Sequence, residues 1–205
     1  MMYQISLCET KGRKIYVDPE LCEGFYLYPG EVRRYKLEDG KQVTEEELTQ
    51  IRKTCALPRA KKRAMGILVK QDKTEQELRQ KLEQSMTDSI SLEETMEYLR
   101  SFGYVNDYRY ASDYIRNKKK RKSYRLIRSE LKKKGIPEEV LEQVFAEAGE
   151  QKGEDIREQI EKYIRKYPEM NREARQKVCA HFYRKGYAGS LVMETLERIL
   201  EDKVD

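Results

Sequence analysis

The sequence predicts a mainly α protein: three tandem three-helix repeats in an array, preceded by a small antiparallel β module that carries its own helix. Three observations carry this expectation. Large apolar residues stand four apart, one helical turn, at Leu78/Leu82, Ile127/Leu131 and Val178/Phe182. In the second and third copies a glycine follows four residues later, at Gly135 and Gly186, and an amphipathic segment flanks each copy on both sides. A period of about fifty residues built from three helices is the signature of stacked repeats. By contrast, the first 57 residues contain short runs that alternate in polarity, as half-buried strands do. The expected divisions are a β/α module at 1–57, then repeats at 58–104, 105–149 and 150–205. Such an array presents a long continuous surface, suited to an extended partner.

In the β module, Tyr3-Gln4-Ile5-Ser6-Leu7 alternates polarity. Lys11-Gly12-Arg13-Lys14 reads as a turn, Ile15-Tyr16-Val17 as a second strand ended by Asp18-Pro19, and Phe25-Tyr26-Leu27-Tyr28 as a third ended by Pro29-Gly30. Branched and aromatic side chains favour a pleated surface. Glu31 to Lys36 fits either a short helix or a strand. Thr44-Glu45-Glu46-Glu47 is a capping box opening a helix to about Cys55. Pro58 marks the expected hinge, because a proline pushes its predecessor out of helical geometry.

The first repeat has an apolar stripe of Ala60, Ala64, Ile67 and Leu68. Capping boxes at Thr74–Glu77 and Ser91–Glu94 open its next helices, with Leu78, Leu82 and Met86 inward on one and Leu92, Met96, Leu99 and Phe102 on the other. Gly103 suits a C-terminal cap and Asn106-Asp107 a new start. The second repeat places Ala111, Tyr114, Ile115 and the stem of Lys118 inward. Ser123 caps a helix carrying Tyr124, Ile127 and Leu131, and Pro137 opens one carrying Val140, Leu141, Val144, Phe145 and Ala148. The third uses Ile156, Ile160, Ile164 and Tyr167, then Asn171 as a cap before Val178 and Phe182, then Leu191, Val192, Leu196 and Ile199. Three apolar residues per helix make a thin core, so packing between units is expected to complete it.

Charged residues are 39% of the 205, and the net charge of +5 is unevenly spread. Between Tyr114 and Gly135 eleven bases face one acid, Glu130, giving +10 there and leaving −5 for the rest of the chain. Such concentration favours a polyanion or an acidic protein groove. Cys8, Cys22, Cys55 and Cys179 form no C-x-x-C pair and His181 is the one histidine, so neither a metal site nor a cofactor is expected. Free thiols, no signal peptide and no long apolar span fit a reducing cytoplasm without membrane attachment. Catalysis is not expected either: no glycine-rich phosphate loop occurs, and Cys179 and His181, two apart on a helix, point in different directions.

The candidate contact residues are Lys118, Lys119, Lys120, Arg121, Lys122, Arg125, Arg128, Lys132, Lys133 and Lys134. The spacing of Arg121, Arg125, Arg128 and Lys132 predicts one cationic helix face, roughly a quarter-turn from the apolar stripe by the ~100° step per residue. A merely solvated helix face would mix signs for support between turns. Tyr104, Tyr108, Tyr110 and Tyr114 crowd one region and could stack on bases, although packing suits them better.

Phe102-Gly103-Tyr104-Val105-Asn106-Asp107, then Tyr110-Ala111, then Leu131-Lys132-Lys133-Lys134-Gly135-Ile136 resemble the RecX family of bacterial recombination regulators. Thr74 to Leu82 is similar to that family's first unit, and Tyr16-Val17-Asp18 to the N-terminal extension of its firmicute members. The resemblance implies a curved array of three-helix units and one partner, the RecA recombinase filament on single-stranded DNA, whose recombinase and coprotease activities members usually restrain. It also implies a regulator of DNA repair and the SOS response, not an enzyme. A monomer with at most weak, nonspecific DNA binding is expected. The other reading is a stand-alone nucleic-acid binder using the basic helix. Three-helix units also occur in Myb-type readers, but those rely on tryptophans, and this chain has none.

Overall fold

The computed structural model describes residues 1–10 and 13–202. Lys11 and Gly12 of the expected first turn, and the last three residues of the expected third repeat, lie outside the described residues. The chain folds as two compact units, one up to Asn106 and one from Asp107 onward.

The first unit begins with four antiparallel strands, β1 (Met2–Thr10), β2 (Lys14–Pro19), β3 (Phe25–Leu27) and β4 (Gln42–Thr44), in the order β3-β2-β1-β4. β1 pairs with β2 in the register Leu7↔Val17 and with β4 in the register Tyr3↔Val43. Ile5, Val17, Phe25, Leu27 and Val43 are at most 1% exposed. The ambiguous stretch after Tyr28 is a helix, α1 (Pro29–Arg34), and β4 was not expected. α2 (Glu45–Ile51) starts at the Thr44 capping box as read from the sequence.

The hinge expected at Pro58 does not form. α2 runs into a π-helical turn (Arg52–Ala56) and straight on into α3 (Leu57–Leu68). The π-turn widens the ladder just ahead of the proline, giving its ring room that an unbroken α-helix would deny. Sheet and helices are further joined by Arg52, which is 9% exposed. It pairs with Asp88 at 3.1 Å, donates to the Glu23 carbonyl at 2.7 Å and lies over the Phe25 ring.

α4 (Glu75–Glu83) opens at the Thr74 box, but it ends before Met86, which stands in the following turn with φ of +61° and is 40% exposed. α5 (Ser89–Ser101) starts three residues earlier than expected: Asp88 is the cap and accepts from the Ser91 amide at 3.0 Å. Leu92, Met96 and Leu99 are buried as expected, whereas Phe102 is 64% exposed.

The second unit holds six helices among the described residues: α6 (Asp107–Lys118), α7 (Tyr124–Lys133), α8 (Glu138–Ala148), α9 (Gly153–Ile164), α10 (Arg172–Arg184) and α11 (Gly189–Glu201). Pro137 sits just outside α8, at its cap. The paired residues that mark the repeat, Leu78/Leu82, Ile127/Leu131 and Val178/Phe182, are all no more than 1% exposed. Burying each such side chain contributes about 1.5–3 kcal/mol. Each triplet nevertheless has its own apolar cluster. Between the second and third triplets the contacts described next are polar.

Candidate functional site

The basic segment lies at the end of α6, in the turn after it and along α7. α6 ends in Lys118, and its last turn carries Arg116 and Lys118, where cations oppose the negative end of the helix dipole. The amides of Arg121 and Lys122 both reach the Lys118 carbonyl, at 2.8 and 2.9 Å. Ser123 then caps α7 by accepting from the Leu126 amide at 3.3 Å.

The third triplet holds this turn in place. Gln151 donates to the carbonyls of Lys119 and Lys122 at 2.9 and 3.0 Å and accepts from the Tyr124 amide at 3.0 Å. Gln159 donates to the Lys120 carbonyl and to the Tyr187 hydroxyl, both at 2.9 Å. The Ser123 hydroxyl donates to the Lys185 carbonyl at 2.7 Å. Lys119 pairs with Asp155, which is 8% exposed, at 3.2 Å. Main-chain carbonyls that would otherwise compete for nearby side-chain cations are thereby satisfied.

The ten candidate residues separate by environment. Lys119, Lys122, Arg128 and Lys132 are paired, with Asp155, Glu130 (2.5 Å), Glu138 and Glu138 (3.2 Å) respectively. Lys118 leans over the Tyr114 ring and Lys134 over the Tyr110 ring. Lys120, Arg121, Arg125 and Lys133 are exposed and make no ion pair among the described residues. The single helical face expected from Arg121, Arg125, Arg128 and Lys132 is corrected on two counts. Arg121 precedes the Ser123 cap and belongs to the turn. Arg128 and Lys132 converge on one carboxylate, Glu138, in the first turn of α8.

Ionisation follows these contacts. Burial pushes Glu130 up, but hydrogen bonds from Lys122 and Tyr114 outweigh it and hold the carboxyl below its ordinary value. Tyr114, half-buried and donating to Glu130 at 2.9 Å, is pushed up to about 12. Arg128 and Lys132 hold Glu138 below the usual carboxylate range. Cys179 and His181 meet different neighbours: the thiol lies beside Met193, and the imidazole stacks on Tyr163 with centroids 3.9 Å apart.

Sequence reasoning missed the polar clamp and a neighbour that the repeat itself could have flagged. Lys185-Gly186-Tyr187 ends α10 as Lys134-Gly135-Ile136 ends α7, with positive φ at both glycines and buried Tyr187 and Ile136. That third-triplet corner lies against Ser123 and Arg125.

Residues 106–144 match the family model of RecX, second three-helix domain, and residues 150–196 that of RecX, third three-helix domain. The regulatory protein RecX of Clostridium beijerinckii is 25% identical over 178 residues, 85% of this chain and 84% of that one. The regulatory protein RecX of Listeria monocytogenes serotype 4a is 29% identical over 113 residues; that alignment spans 54% of this chain and 42% of the relative, less than half its length. A crystal structure of regulatory protein RecX superposes with a TM-score of 0.63, covering 96% of this chain and 99% of that one at 23% identity. The crystal structure of RecX from Lactobacillus salivarius gives 0.64 over 70% of this chain and 96% of that one, at 21% identity. At these identities the two structures speak for a shared fold.

Proposed function

The chain belongs to the RecX family, and we propose that it binds the RecA filament on single-stranded DNA and restrains its recombinase and coprotease activities during DNA repair and the SOS response. The observation that carries this reading is the clamped basic turn. Lys120, Arg121, Arg125 and Lys133 make no ion pair among the described residues, and the third triplet fixes the backbone of the turn that carries Lys120 and Arg121. A fixed display of charge lowers the ordering cost of binding an extended anionic partner. These cations meet acidic protein surface or exposed phosphates along the filament, and occupancy there hinders subunit addition or displaces substrates. The work takes place in the cytoplasm, and no helix among the described residues is long and apolar enough to cross a membrane.

Co-sedimentation with RecA tests the reading. The protein should pellet with RecA assembled on single-stranded DNA with a non-hydrolysable nucleotide, and far less with RecA alone. Equal recovery with and without filament contradicts it. Binding to DNA without RecA is expected to be weak, blind to sequence and steeply lost with salt through counterion release. Tight, sequence-selective binding to DNA alone would favour the stand-alone nucleic-acid reading.

A further inference from the structure

A second basic cleft lies within the N-terminal unit, where β2 and β3 meet the start of α3 and the turn between α4 and α5. It encloses about 250 Å³ and is lined by Lys14, Tyr26, Tyr28, Arg59, Lys62 and Arg63 among others. Arg59, Lys62 and Arg63 stand three and four apart on α3 and so share a face.

The charges in this cleft are unequally answered. Arg59 is neutralised by Glu31 at 2.5 Å and donates to the Tyr26 carbonyl at 2.9 Å. Asp88 borders the cleft but is held by Arg52. Lys14 donates to the Ser85 carbonyl at 3.0 Å and has no carboxylate partner among the described residues. Lys62 and Arg63 are exposed and likewise make no ion pair there. Burial, with Arg59 and Arg63 adding repulsion, holds the Lys14 ammonium below its ordinary value. Three cations thus converge on one concavity, and among the described residues none of them is ion-paired, the bordering Asp88 being held by Arg52. Met86, at φ of +61°, keeps the turn in a left-handed form that brings the Ser85 carbonyl to Lys14. The Tyr28 ring beside the cleft is 42% exposed, with Arg59 4.6 Å from its centroid.

We propose that this cleft is a phosphate-binding site that receives a backbone phosphate of a single-stranded nucleic acid, with Lys14, Lys62 and Arg63 as its cations and Tyr28 as a stacking surface for the adjoining base. Cations tracking a strand beside an exposed ring are the working parts of sequence-tolerant single-strand binding. The volume suits a phosphate with one attached ring. The site requires no recombinase and stands independently of the filament reading.

The test is fluorescence anisotropy of a labelled fifteen-residue oligothymidylate with the full chain, across salt concentrations, without RecA. Lys62→Glu with Arg63→Glu should raise the dissociation constant at least tenfold and flatten the salt slope by about 0.7, the share of one single-strand phosphate contact. Lys14→Gln should weaken binding at least threefold. Arg121→Glu with Arg125→Glu should leave binding sensitive to the α3 pair. Wild-type affinity in the folded Lys62/Arg63 variant, whose changes are on exposed side chains, overturns the site even if the Lys14 variant fails to fold. Displacement of the oligomer by thymidine monophosphate or inorganic phosphate at comparable concentration overturns a strand as the ligand.

Discussion

Gln151 and Gln159 show how much a neutral side chain can do for a charged surface. Their amides satisfy the carbonyls of Lys119, Lys120 and Lys122, so the turn keeps one shape while its cations face outward. Gln151→Ala removes three hydrogen bonds and should cost about 1–3 kcal/mol in urea unfolding, at roughly 0.5–1.5 kcal/mol per bond with partial replacement by water. Trypsin should cut between Lys118 and Lys122 sooner in this variant; unaltered cleavage would deny the clamp. A second residue-scale consequence concerns His181. Burial, with Lys185, Lys166 and Arg184 adding, lowers its pKa from 6.5. The unfolded chain therefore takes up the proton first, and stability falls as pH drops through 6.5, levelling only below the folded value. The stability difference between wild type and His181→Gln, read from urea midpoints at pH 7.5 and 5, should shift against the wild type at the lower pH.

At the scale of elements, what could be read from the sequence was whatever local chemistry decides. Thr44, Thr74, Ser123 and Asn171 cap the helices they were expected to cap, because each side chain answers an amide two or three residues on. Ser91 was misread because Asp88 offers a competing cap. Arg52 on the Asp88 carboxylate and Glu23 on the Ser89 amide fix that choice, and both come from distant sequence. Met86, Phe102 and Arg121 were misplaced for one shared reason: the helical period was carried past a real helix end. The loss of Arg128 and Lys132 to Glu138 was hidden because the acid lies across a turn, on the next helix. Glu138→Gln should free both cations and strengthen binding to a polyanion, most visibly at low salt, as a lower half-saturation concentration. Gly186 is the element-scale test of the joint. Its φ is +88°, and a β-carbon there would stand 2.8 Å from the Ser123 hydroxyl oxygen. Gly186→Ala should destabilise by about 1–2 kcal/mol from backbone strain alone, with more from the contact. Gly103→Ala, also at positive φ but with open space around it, should show only the strain.

For the molecule as a whole, the charge asymmetry is the feature that composition and structure share. The stretch from Tyr114 to Gly135 holds +10 in a chain of net +5. Folding then sorts those bases: Arg116, Lys119, Lys122, Arg128 and Lys132 are answered by carboxylates, while Lys120, Arg121, Arg125 and Lys133 make no ion pair among the described residues. The sequence could locate the concentration of charge but not this sorting, which depends on where Asp155 and Glu138 come to rest. The most direct test is inhibition of RecA's DNA-dependent ATP hydrolysis by a variant with Lys120, Arg121, Arg125 and Lys133 all changed to Glu. The account predicts that this variant keeps its helical circular-dichroism spectrum and needs at least tenfold more protein for the same inhibition; a folded variant that inhibits as the wild type does would contradict it.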